Sequence, residues 1–155
     1  MSDNLQEELK QKKPFGSREE VVFLSIQKAA EQLKMGFTEL FKTQELTTTQ
    51  YNVLRILRGA GNEGISCKEI SDKLITKDSD ITRMLDRLEA RELIRRERQI
   101  DDRRVILTFI AEKGLLVLEE LDVPVNRLHK GQLSHLSKKD LEKLGKLLNK
   151  ARKPK

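Results

Sequence analysis

Residues 66–91 read Ser66-Cys67-Lys68-Glu69-Ile70-Ser71-Asp72-Lys73-Leu74-Ile75-Thr76-Lys77-Asp78-Ser79-Asp80-Ile81-Thr82-Arg83-Met84-Leu85-Asp86-Arg87-Leu88-Glu89-Ala90-Arg91. Ser66 with Glu69 three positions on is a capping box, so a helix opens there. Ile70 and Leu74 anchor it, and it is short, about residues 67–74. Ile75 to Asp78 form a tight connection. A second helix then runs to about Arg91, with Ile81, Met84, Leu85 and Leu88 on one stripe. Ser79, Thr82, Arg83, Asp86 and Arg87 fall off that stripe. Two short helices joined by so brief a turn have the form of a helix-turn-helix.

Downstream the character changes. Residues 93–98 and 104–110 are β-prone, and Gln99-Ile100-Asp101-Asp102-Arg103 between them reads as a polar turn. The pair predicts a hairpin wing offering Arg95, Arg96, Arg98, Arg103 and Arg104. Upstream, Thr47 and Gln50 make another capping box, and Leu46 can staple onto Tyr51. Tyr51, Leu54 and Leu57 line that helix until Gly59-Ala60-Gly61 ends it.

The flanks are helical. Ser17 and Glu20 form a capping box before Val22, Ile26, Ala29, Leu33, Phe37 and Leu40, which gives a long helix to about Glu45. Leu115, Leu118, Leu121, Val125 and Leu128 predict another, with a kink or break near Val123 because Pro124 sits inside it. Ser137 with Asp140 opens a last helix carrying Leu141, Leu144, Leu147 and Leu148. The expected fold is mainly α with a small β-hairpin wing. A winged helix-turn-helix lobe spans 47–111, and a helical dimerisation region comprises 17–46 and 112–150. Residues 1–16 and 151–155 are expected to be flexible.

Composition narrows the function classes. The chain has 155 residues, 36% charged and 37% apolar, with no Trp. The net charge of +6 comes from residues 127–155, which carry ten bases and two acids, whereas 62–110 balance at eleven each. A DNA reading must therefore rest on where charges sit in the lobe, not on their sum. No apolar run approaches the roughly 20 residues of a membrane span, and the polar N-terminus lacks a secretory signal, so a cytoplasmic location is expected. A lone Cys67 excludes an intrachain disulfide. It opens a helix, where the dipole favours an anion, and offers a possible redox site. His129 and His135 lack metal-ligand spacing, and neither metal nor cofactor is expected. No nucleophile elbow, phosphate loop or zinc-protease pattern points to an enzyme.

The helix from Ile81 must hold the protein with one face and offer hydrogen bonds to base edges with the other. Ser79, Thr82 and Arg83 fit base reading, and Arg87, one turn on, a phosphate; the bland reading of that face pairs Arg83 with Asp86. An Arg at the hairpin tip suits a narrow minor groove, with an adjacent Asp clamping it. The candidate DNA-binding set is Ser66, Lys68, Ser79, Asp80, Thr82, Arg83, Arg87, Arg98, Asp102, Arg103 and Arg104.

Three segments together resemble the MarR family of regulators: Leu46-Thr47-Thr48-Thr49-Gln50-Tyr51-Asn52-Val53-Leu54, Ile81 to Glu89, and Asp102-Arg103-Arg104 followed by Glu112-Lys113-Gly114. The resemblance spans residues 17 to 150. It implies a homodimer on a pseudo-palindromic double-stranded operator, with the first and last helices as the interface. It implies Arg104 in the minor groove, Asp102 orienting the wing, and the Ile81 helix in the major groove. It further implies a ligand-responsive repressor with a crevice for a small aromatic or amphipathic effector. A redox-responsive regulator acting through Cys67, or a winged-helix interaction module without DNA binding, are the alternatives. The chain departs from the family in Glu92 where Gly is usual, in Ile110-Ala111 where Leu-Thr is usual, and in Pro124.

Overall fold

Four helix starts follow from local chemistry. In the computed structural model, which describes residues 2–76, 80–100, 102 and 104–153, α1 spans Ser2–Glu8, α2 Arg18–Lys42, α3 Thr48–Ala60, α4 Cys67–Lys73, α5 Ile81–Ala90, α6 Glu112–Gln132 and α7 Lys138–Ala151. Ser17 caps α2 by accepting from Glu20 N at 3.1 Å, while the Glu20 carboxylate accepts from Gly16 N at 2.7 Å. Thr47 and Gln50 exchange side-chain-to-backbone bonds of 2.9 and 3.1 Å at the head of α3. Ser66 and Glu69 complete the box that opens α4. Ser137 accepts from Asp140 N at 3.2 Å to start α7.

By internal contacts the chain divides into two units, Met1–Tyr51 and Asn52–Lys155, the boundary falling inside α3. In the first, α1 packs on α2 and Leu5 is buried. The segment expected to fray thus contains a helix, because one apolar side chain finds cover that no local periodicity reveals. The Phe41 ring stacks on Tyr51 at 4.0 Å between centroids. The end of α2 closes in a Schellman turn: Leu46 N donates to Phe41 O and Glu45 N to Lys42 O, with Glu45 at φ 53°. Phe41 and Leu46, the apolar pair of that turn, are both buried. Val22, Phe23, Ile26 and Met35 on α2 remain exposed.

The second unit is built on Val53, Leu54, Leu57, Ile70, Leu85, Leu88, Leu93, Leu118 and Leu121, all close to fully buried. Its antiparallel sheet has the order β1-β3-β2, with β1 Ile65–Ser66, β2 Ile94–Arg98 and β3 Ile106–Ile110. The wing register pairs Ile94 with Ile110 and Arg98 with Ile106, and β1 adds Ile65 opposite Thr108. The two-residue strand β1 was not evident from sequence.

Three family departures find physical answers in this unit. The end of α5 is a second Schellman turn, in which Leu93 N donates to Leu88 O and Glu92 N to Glu89 O. Glu92 takes the left-handed position at φ 61°, where glycine would be at ease. Ala111 stands at the N-cap of α6 without a side-chain bond. α6 is unbroken from Glu112 to Gln132 with Pro124 inside it, so the break expected near Val123 is absent. Leu118, Leu121 and Val125 are buried on both sides of the proline, and tertiary packing outweighs the local disruption. Gly114 is required by close approach: a Cβ there would lie 2.2 Å from Leu93 O.

Candidate nucleic-acid interface

α5 presents two opposite faces. Met84, Leu85 and Leu88 are buried and fix it to the lobe, while Thr82, Arg83, Asp86 and Arg87 are exposed. Arg83 pairs with Asp80, at the N-cap, at 3.8 Å rather than with Asp86, which corrects the bland pairing inferred from sequence. Both partners of that pair are well exposed, so Coulomb attraction between them is weak and Arg83 can be redirected.

Asp86 is engaged elsewhere. Arg96 Nη2 donates to Asp86 Oδ1 at 2.6 Å and to Glu89 Oε2 at 2.6 Å, and its Nε donates to Glu89 Oε2 at 2.9 Å. Glu89 Oε1 also accepts from Arg96 N at 3.1 Å. These bonds, with Glu89 first, raise the already high guanidinium pKa. Arg96 therefore ties the wing strand β2 to the last turn of α5 and neutralises both acids of the helix. Sequence reasoning saw an arginine-rich hairpin and missed this role. The available signal was an acid in the last helical turn, seven residues before an arginine that alternates with Arg95 along β2.

Arg95 faces the other way. Its guanidinium lies 4.2 Å from the centroid of the Phe109 ring, its cross-strand partner, and it also pairs with Glu97. Two of the hairpin's arginines are thus part of its scaffold. Arg98 is exposed and makes no ion pair among the described residues.

At the wing's end the chain is closed by Gln99 N donating to Val105 O and Val105 N donating to Asp102 O, each at 2.9 Å. Asp102 Oδ1 accepts from Arg104 N at 3.0 Å and from Arg104 Nε at 3.4 Å. The Arg104 side chain is 94% exposed, so this carboxylate is a hold on an otherwise extended arm. Ser79 and Arg103 lie outside the described residues.

Ser66, at the α4 N-cap, is occupied: its hydroxyl donates to Glu69 Oε2 at 2.7 Å and accepts from Glu69 N at 3.3 Å. The backbone and side-chain bonds from Ser66 hold the Glu69 carboxyl below its ordinary pKa. Lys68 is exposed on the same turn, and Cys67 is half-buried as the first residue of α4. Behind the lobe, Arg58 on α3 makes a bidentate pair with Asp122 on α6, at 2.8 and 2.9 Å. That pair holds the Asp122 carboxyl below the ordinary range. His129 and His135 are exposed, and no group of three metal-ligating side chains occurs among the described residues.

Comparison with known proteins agrees with this geometry. The family model described as "MarR family" matches residues 46–106. The HTH-type transcriptional repressor MdtR of Bacillus subtilis is 30% identical over 118 residues, covering 76% of this chain and 75% of its own. The crystal structure of a MarR transcription factor from Planctomyces limnophilus superposes with a TM-score of 0.68 at 35% identity, covering 87% of this chain and 98% of that one. A mutant MarR from E. coli, crystallised in complex with operator DNA, gives a TM-score of 0.76 at 25% identity over 85% of this chain and 95% of its own. Members of this family are transcription regulators and not enzymes. A buried apolar stripe beneath an exposed Thr-Arg-Arg row, a wing tied to it, and these relatives together make the chain a DNA-binding transcriptional regulator of the MarR family, with a winged helix-turn-helix.

Proposed function

We propose that two copies of the chain bind a pseudo-palindromic operator and repress transcription until a small aromatic or amphipathic effector lowers their affinity. The observation that carries this reading is the division of α5 into a buried stripe and an exposed row of Thr82, Arg83 and Arg87. A helix is about 10–12 Å across with its side chains, close to the ~12 Å width of the major groove. Thr82 and Arg83 near the N-terminal end would meet base edges, and Arg87, one turn later, a phosphate. Lys68, Asp80 and Arg98 complete the proposed set of DNA contacts. Arg104, held by Asp102, would enter the adjacent minor groove, whose concentrated negative potential favours arginine. Ser66 and Asp102 then act by building the surface, since both are engaged in internal hydrogen bonds.

The dimer reading is supported by apolar side chains left exposed on the flanking helices. Val22, Phe23, Ile26 and Met35 on α2 are uncovered, and so are Leu141, Leu144, Leu147 and Leu148 on α7. Burial is worth roughly 25 cal/mol per Å2 of apolar surface, so a second copy offers a substantial gain. Deleting residues 137–155 is expected to give monomer or aggregate in sedimentation. A full-length chain that is monomeric at micromolar concentration would contradict the dimer. The repressor role rests on the name of MdtR, and the effector on family likeness. Reciprocity requires that an effector which weakens DNA binding be weakened by DNA in turn. No helix among the described residues is long and apolar enough to cross a membrane.

The test is binding of the full-length protein to a duplex over a range of salt. Several phosphate contacts require log affinity to fall linearly with log salt, by about 0.9 for each contact. Absence of duplex binding would make the winged helix an interaction module only.

A further inference from the structure

We propose that Ile100, at the tip of the wing, is itself a DNA contact: an apolar side chain that packs into the minor groove beside Arg104. This rests on the reading of the wing as a minor-groove arm. Ile100 is 95% exposed, at a turn position where polar residues are the rule. The hairpin does not need it for its own packing. Its apolar anchors lie at the opposite end, where Ile94 and Phe109 are buried. The tip is meanwhile held in shape by the Gln99–Val105 and Asp102–Arg104 hydrogen bonds. Ile100 itself stands uncovered beside these bonds.

The surroundings indicate what meets it. Arg98 and Arg104 flank the tip and are both exposed, while the Asp102 carboxylate is occupied by Arg104. Cations around an apolar point match a groove with phosphates along its rims and deoxyribose carbon along its walls. The minor groove is about 6 Å wide, which a single aliphatic side chain can enter. Isoleucine is among the side chains that wedge between base steps from this side. Its β-branch leaves little rotamer freedom to lose on contact. Such a contact adds affinity without adding charge, so its signature differs from that of an arginine.

That difference defines the experiment. Full-length wild type, Ile100→Ser, Ile100→Val and Arg104→Ala would be titrated by fluorescence anisotropy at several salt concentrations. The probe is the duplex that wild type enriches from a random-sequence pool. Ile100→Ser is expected to bind about ten-fold more weakly, equivalent to about 1.4 kcal/mol, at an unchanged salt slope. Ile100→Val is expected to stay near wild type, and Arg104→Ala to weaken binding while lowering the slope by about 1. Because Ile100 is exposed, the thermal midpoints of its variants should match wild type. Wild-type affinity for Ile100→Ser alongside a weakened Arg104→Ala would overturn the Ile100 contact and leave the wing reading standing. If neither substitution alters affinity, the wing does not meet DNA and both readings fall.

Discussion

Arg96→Ala should loosen the lobe by removing the guanidinium that joins β2 to α5. Three side-chain hydrogen bonds to carboxylates disappear, two to Glu89 and one to Asp86. Fully buried, each such charged bond would be worth about 1.5–3 kcal/mol. Here Arg96 is 22% exposed, Glu89 38% and Asp86 56%, so the released carboxylates recover much of their hydration. Glu89 also keeps its bond from the Arg96 backbone N–H, which the substitution leaves in place. Exposed pairs contribute ~0–1 kcal/mol, so the net loss is set between these limits, at about 1–2 kcal/mol. Urea unfolding at one fixed protein concentration measures it. Asp86→Ala made on top of Arg96→Ala should then cost almost nothing further, because the two share one interaction. A loss for Arg96→Ala below about 0.5 kcal/mol, the range of ordinary surface substitutions, would refute the reasoning.

Arg83→Ala should cost about 1–3 kcal/mol on the preferred duplex and relax particular base pairs, whereas Arg87→Ala should weaken all sequences alike and lower the salt slope by about 1; parallel anisotropy titrations on preferred and unrelated duplexes separate the two. Asp102→Ala should weaken DNA binding even though it removes a negative charge, and should do so only when Arg104 is present. Tighter binding by Asp102→Ala would show that the aspartate merely repels phosphate. Gly114→Ala places a methyl 2.2 Å from Leu93 O and should destabilise the lobe by at least the ~1–3 kcal/mol of an overpacked core, read as a lowered urea midpoint. Glu92→Gly relieves a left-handed φ of 61° and should stabilise the lobe by roughly 0.5–1 kcal/mol, read as a raised urea midpoint, the strain outweighing glycine's extra chain entropy.

Local chemistry in the sequence was a good guide to helix starts. Ser17, Thr47, Ser66 and Ser137 each satisfy donors within three residues, so their roles are legible from a short window. Helix ends were harder. Glu45 gives no sign of a left-handed turn and Glu92 is marked only by standing where the family usually has Gly; both turns depend on a buried apolar pair, Phe41 with Leu46 and Leu88 with Leu93. β1 escaped notice because two residues carry no period; its pairing with Leu107 and Thr108 exists only once the lobe has closed. Pro124 misled for the converse reason, as burial of Leu121 and Val125 sustains a helix that propensity alone would end. At the interface, the exposed face of α5 followed from periodicity. The division of labour among the hairpin arginines did not, since it depends on cross-strand register: Arg95 lies opposite Phe109, and Arg96 is turned toward Glu89.

Selection of DNA bound by the full-length protein from a random-sequence pool tests the central claim most directly. Two copies, each presenting α5 to one major groove, should enrich an inverted repeat whose half-sites lie about 10 base pairs, or one further helical turn, apart. A pool that shows no enriched sequence, or an asymmetric site lacking the repeat, would contradict it.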